Sequence, residues 1–251
     1  MSEIYADYDR FAWFYNRHWG EEFSRPALGI FEKILFPHLP TGASILDLCC
    51  GTGQLAAGLI EKGYRVTGVD GSRSMLDHAR QNAPSAELVW ADARSFALDV
   101  PVAAAVSTFD SLNHVLQLSQ LREVFDRVLV ALEPGGLFVF DLNTEDEFQN
   151  DSREAMFDIV EDDHACVVRS RYDVSTRMKY YDVTMFTLEL DDWRRGDLTL
   201  VQRYYDAVEI ARTLREAGFD RVSVYDAEKE FDLSISAGRA FFVARRPNEE
   251  D

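Results

Sequence analysis

Asp47, Asp70, Asp92 and His114 each fall where a chain alternating strands and helices would present a side chain to a ligand. The first opens the run Asp47-Leu48-Cys49-Cys50-Gly51-Thr52-Gly53-Gln54. A strand that turns through Gly-x-Gly into a helix aims backbone N–H groups outward, and glycine lets a ligand approach the chain closely. Gly51 to Ala56 also satisfies Gly-x-Gly-x-x-Ala, and Asp70 ends the next strand, so a nicotinamide dinucleotide site is one reading. Asp47 weighs against it. A carboxylate beside the glycines would repel a pyrophosphate and attract a cation, which favours a ligand that is cationic at one end and a nucleoside at the other.

His114 lies in "STFDSLNHVL", after the fourth strand, in the crevice where open α/β sheets bind ligands. Its ordinary pKa near neutrality suits a general base that removes an acceptor's proton, and Phe109, Asp110 and Asn113 are its neighbours in sequence. A histidine packing at a helix start is the competing reading. Cys50 reads as a core residue, since nothing near it in sequence would activate a thiolate. The five histidines show no ligand spacing and no Cys/His cluster, so no metal is expected.

The elements that position these residues follow from hydrophobic pattern. From Ala43 the chain reads as strand "SILDLCC", helix "QLAAGLIEKG", strand "RVTGVD" and helix "SRSMLDHARQN", which are parallel βαβ units. Then come "AELVWAD", "VAAAVSTFD", a helix with Leu121, Val124, Phe125, Val128 and Leu132 at helical intervals, and the strand "LFVFDLN". Pro134-Gly135-Gly136 is expected to stop that helix. Arg153 to Tyr205 changes to β-branched and aromatic runs, read as antiparallel hairpins inserted after the fifth strand and packed on the core. A helix from Asp206 to Gly218 and two more strands complete the sheet, with Asp206 and Glu209 as a capping-box-like pair.

Among 251 residues, 47% are hydrophobic, enough for one substantial core. The net charge of −18, from 44 acids against 26 bases, opposes a phosphate backbone and so disfavours nucleic acid as partner. No targeting segment or membrane span is read, and three cysteines make no disulfide framework. A cytoplasmic protein without membrane contact, monomeric or homodimeric, is expected.

The motifs together resemble the class I S-adenosylmethionine-dependent methyltransferases. Asp47-Leu-Cys49-Cys-Gly51-Thr-Gly53 is similar to the family's acid-x-Gly-x-Gly-x-Gly motif, departing from it at Cys49. The resemblance implies that Asp70, followed by Gly71, accepts the ribose hydroxyls and that Met75 lies against adenine. In "WADA" it implies that Asp92 faces the adenine amino group and that Ala93 supplies a backbone contact, and Thr108 is a further candidate cofactor contact. Tyr8-Asp9-x-x-Ala12-x-x-Tyr15 resembles a lid of small-molecule methyltransferases, which makes Tyr15 a cofactor contact and, with His114, a candidate catalytic residue.

The fold implied is α/β, a Rossmann-like seven-stranded sheet with helices on both faces and an antiparallel β insertion after strand five. Residues 1–42 would be the helical lid, 43–150 and 206–251 the core, and 151–205 the insertion over the acceptor, whose aromatics are Tyr172, Tyr180, Tyr181, Trp193, Tyr204 and Tyr205. The implied cofactor is S-adenosyl-L-methionine and the implied partner a small-molecule methyl acceptor, in the manner of amino-sugar N-methyltransferases. A nicotinamide oxidoreductase and a non-catalytic cofactor-binding protein are the alternatives.

Overall fold

The structure is a computed structural model and describes residues 5–145, 148, 156–231 and 238–248. Two helices come first, α1 (Ala6–His18) and α2 (Gly20–Ile34), then β1 (Ser44–Leu48), α3 (Gln54–Glu61), β2 (Arg65–Asp70), α4 (Arg73–Asn82), β3 (Glu87–Trp90) and β4 (Val102–Ser107). After a 3-10 turn at Ser111–His114 follow α5 (Leu118–Ala131), β5 (Leu132–Asn143), and four strands of a second sheet: β6 (Met156–Val160), β7 (His164–Asp173), β8 (Met178–Glu189) and β9 (Asp192–Arg203). The chain then returns through α6 (Ala207–Ala217), β10 (Asp220–Asp226), α7 (Ala227–Phe231) and β11 (Arg239–Arg245).

The main sheet has the order β3-β2-β1-β4-β5-β11-β10, with β11 antiparallel to both neighbours. Its two faces are buried separately, because side chains alternate along each strand. Leu46 and Leu48 of β1 join Phe138 and Phe140 of β5 under α5 and α6, while Ile45 joins Val106, Val139 and Phe241 under α2 and α3. Strand order reverses between β1 and β4, the place where an open α/β sheet leaves a crevice at the carboxyl ends of its strands.

The insertion is a four-stranded antiparallel sheet, β6-β7-β8-β9. Its apolar face, with Cys166, Val168, Val183, Met185 and Leu198, is covered by Phe11 and Phe14 of α1. Asp206 caps α6 as expected, accepting from the Val208 and Glu209 amides, and Gly218 ends it with φ 106°. One local expectation is corrected. The fifth helix ends at Ala131, and Pro134-Gly135-Gly136 lies within β5, because Leu132 already pairs with Val102 and the ladder shifts register before Leu137 meets Ala104. No helix among the described residues is long and apolar enough to cross a membrane.

Candidate active site

The carboxyl ends of β1, β2, β3 and β4 bring Asp47, Asp70, Asp92 and Thr108 to one edge of the sheet. Between β1 and α3 the backbone turns through three left-handed residues, Cys49 (φ 60°), Gly51 (φ 53°) and Gly53 (φ 85°). A side chain at Gly53 would start 2.9 Å from Ala79, so α4 packs directly on the turn. Cys49 holds the same left-handed conformation without glycine's freedom, a strain of about 1 to 2 kcal/mol.

Asp47 is 2% exposed, and its Oδ2 has no hydrogen-bond partner. Burial, with a smaller contribution from the charge of Asp70, pushes its pKa up to about 8. A buried carboxylate oxygen without a donor is costly, and the cost disappears when a cation or donor is placed against it. Asp70 is built differently: Oδ2 accepts from the Gly51 amide at 2.9 Å and Oδ1 from the Ser72 amide at 2.8 Å. Burial still raises it to about 6, against the pull of those two amides. Asp92 is pushed up by burial, but Arg94 outweighs this and holds it below the usual range, with guanidinium contacts at 2.8 and 2.5 Å.

Helix α1 packs over this edge. Asp9 of α1 accepts from the Ser72 hydroxyl at 2.6 Å and the Ser74 amide at 3.0 Å, fixing α1 to the start of α4. Asn16 bonds the side chains of Gln54 and Asn82, which tie it to α3 and α4. A side chain on Gly51 would start 3.6 Å from the Tyr15 ring, and one on Gly71 only 2.2 Å from the Tyr5 ring. Tyr5 also hydrogen-bonds Asp92. Burial and the surrounding carboxylates raise the Tyr8 and Tyr15 hydroxyls well above their ordinary pKa, so both stay protonated. Met75 and Ala93 are buried beside the edge.

His114 joins three segments of chain. Its Nδ1 lies 2.9 Å from the Val201 carbonyl of β9 and 2.7 Å from the Tyr8 hydroxyl of α1. A carbonyl only accepts, so Nδ1 carries the ring proton and Nε2 the lone pair. That lone pair faces the Gln202 amide nitrogen at 3.0 Å, and the same nitrogen donates to Asp110. Burial lowers the His114 pKa below its usual value, so the ring is neutral at pH 7.

Asp110 follows Phe109 in two consecutive left-handed, non-glycine residues (φ 65° and 48°), a strained turn of a kind that gathers at functional sites. Arg239 bridges Asp110, at 2.7 Å, and Asp141. Burial raises Asp110, and Arg239 outweighs it and holds the group low, whereas Asp141 remains above its usual range. Sequence reasoning missed Tyr5, Asp141, Gln202 and Arg239. The one available signal was Asp141, an acid within the apolar run Leu137-Phe138-Val139-Phe140-Asp141-Leu142 of β5. Asn113 is a clamp, fully buried and bonded to the Arg203 carbonyl and the Asn143 amide. Of the insertion's aromatics, Tyr181 reaches the site by donating to Gln202 at 3.2 Å, Tyr205 bonds the Val115 carbonyl, and Trp193 is half exposed.

Comparison with known proteins agrees with this geometry. Residues 45–136 match the family described as methyltransferase domain. The chain is 28% identical over 220 residues to YqeM of Bacillus subtilis (strain 168), described as a methyltransferase, covering 86% of this chain and 89% of that one. It is 30% identical over 122 residues to the dTDP-3-amino-3,4,6-trideoxy-alpha-D-glucopyranose N,N-dimethyltransferase of Streptomyces venezuelae, about half of each chain (49% and 51%). Its fold is similar to that of an S-adenosylmethionine-dependent methyltransferase from Clostridium acetobutylicum ATCC 824, with TM-score 0.79, 20% identity, and coverage of 96% and 99%. Residues 45–136 thus carry a methyltransferase domain, and the sheet order and the unpaired acid ahead of the glycine turn are similar to those of class I S-adenosylmethionine-dependent methyltransferases.

Proposed function

We propose that the protein transfers a methyl group from S-adenosylmethionine to a nitrogen or oxygen of a small molecule, bound between α1, β9 and the carboxyl ends of β4 and β5. The observation that carries this reading is the buried, unpartnered Oδ2 of Asp47 just ahead of the glycine turn. It suits a ligand with an ammonium and a sulfonium and opposes one with a pyrophosphate.

In this reading Asp47 holds the cofactor's cationic end. Gly51 and Gly53 leave room for close approach, Asp70 and Gly71 take the ribose, and Met75, Asp92 and Ala93 border the adenine. Cys49, Thr108 and Tyr15 line the path toward the acceptor. The bound cofactor supplies a methyl already activated on a cationic sulfur. The protein's part is alignment and exclusion of water, and alignment of this kind can lower a barrier by about 7 to 11 kcal/mol. α1 closes the site through Asp9 and Asn16. His114 is neutral, its Nδ1–H directed at the Val201 carbonyl and the Tyr8 oxygen; its Nε2 takes the acceptor's proton once the Gln202 amide, which also donates to Asp110, releases that lone pair.

Calorimetric titration with S-adenosylhomocysteine, beside an Asp70→Asn variant and an NADH control, tests the reading. Micromolar binding by the native protein that weakens about tenfold or more in the variant is expected, because an amide cannot accept on both sides. Binding of NADH without S-adenosylhomocysteine would overturn it.

A further inference from the structure

Besides Asp47, one other carboxylate near the site keeps a buried oxygen with no partner. Asp141 is 1% exposed, and its Oδ2 takes the Arg239 guanidinium and the Asp110 amide, at 3.3 Å for the amide. Its Oδ1 has no hydrogen-bond partner. With Asp110 and Arg239 it forms a cluster of two acids around one base, which leaves one negative charge uncompensated away from water. Such a cluster is strongly destabilising until a cation or several donors complete it.

A cavity of about 30 Å³ adjoins this cluster, between α2 and the ends of β4 and β5, lined by Phe23, Pro26, Thr108, Phe109, Asp141 and Arg239 among others. It has room for one or two atoms the size of a water. Strand register gives its place. Asp47 is level with Val106 on β4, and Ser107 with Phe140 on β5, so Asp141 lies beside Thr108, one strand beyond the strand that neighbours the glycine turn. Two strand spacings put it about 10 Å across the sheet from the level of Cys49. The cofactor has one ammonium, which Asp47 accounts for, and this leaves Asp141 for the acceptor.

We propose that this cavity is an acceptor subsite that takes a protonated primary amine, held by the free oxygen of Asp141. The assignment rests on the methyltransferase reading above. Its chemistry follows from charge, size and walls. An anion would meet a net negative cluster whose one guanidinium is already shared by two carboxylates. A guanidinium is too large for the space, whereas an –NH₃⁺ group is compact and brings three donors. The Phe23 and Phe109 rings, packed on each other with centroids 4.4 Å apart, wall the space, and the Arg239 guanidinium already lies over the Phe109 ring. An ammonium has no lone pair, so the anchored amine is not the atom methylated. The acceptor therefore carries a second nucleophile, as an amino alcohol or a diamine does.

The test titrates the protein saturated with S-adenosylhomocysteine with ethanolamine and ethylenediamine, and with ethylene glycol and malonate as neutral and anionic counterparts. The two amines should bind and the counterparts should not. Asp141→Asn should weaken the amines about tenfold or more, the loss expected when a charged hydrogen bond goes, with S-adenosylhomocysteine affinity kept. Ala27→Val, which fills the cavity from α2 and leaves the charged cluster intact, should weaken the amines as well. Glycol or malonate binding as tightly as the amines, no amine binding at all, or amine affinity unchanged in both variants overturns the proposal. Failure to bind S-adenosylhomocysteine would instead sink the reading beneath it.

Discussion

Replacing Asp47 by asparagine should stabilise the free protein while damaging its cofactor site, and pH should separate the two effects. The carboxyl titrates near 3.8 when unfolded and near 8 when buried. Between those values the folded state holds the extra proton, so the native protein loses stability as pH rises through that window. The slope is about 1.4 kcal/mol per pH unit, so the variant's advantage should widen by about 4 kcal/mol between pH 5 and pH 8. Urea unfolding at a series of pH values reads this directly. With a denaturant slope of about 3 kcal/mol per molar, the gap between midpoints should grow by more than about 1 M. Saturation with S-adenosylhomocysteine should remove the slope from the native protein, because a bound ammonium restores the carboxylate. Parallel curves for native protein and variant would refute the argument, since they would mean that Asp47 is not an unpaired buried acid.

His114→Ala should slow turnover about tenfold or more, by removing both a base and the partner of Tyr8. Tyr8→Phe should reproduce part of that loss, and the double variant should lose much less than the product of the two; simple multiplication would show that the two side chains act separately. Cys49→Gly should relieve the left-handed strain and change stability by no more than about 1 to 2 kcal/mol. Its S-adenosylhomocysteine affinity should hold, and a large loss in calorimetry would show that the thiol itself contacts the cofactor.

The order of elements from Ala43 to Asn143 was legible because period-two strands and period-3.6 helices alternate there, each punctuated by a cap or a glycine. The glycine turn was legible for the same reason, since it is local in sequence. The end of α5 was misplaced because its helical period runs on into Leu132, and only pairing with Val102 decides for strand. The cluster around Arg239 could not be read: 129 residues separate it from Asp110 and 98 from Asp141, and no local pattern spans such distances. The link from Gln202 through His114 to Tyr8 is of the same kind, made by side chains on three segments that meet only in the folded chain.

The cover that α1 gives the second sheet bears on how the protein comes to be folded. Phe11 and Phe14 precede their partners Cys166, Val183, Met185 and Leu198 by some 150 residues or more. On a ribosome, Leu198 appears roughly 180 residues after Phe14, about 10 to 40 s at ordinary elongation rates. Throughout that interval Phe11 and Phe14 lack the second sheet that buries them. The face of α1 that meets the second sheet thus docks late, although its other face can already rest on α3 and α4, and this waiting period leaves the chain open to chaperones and to aggregation.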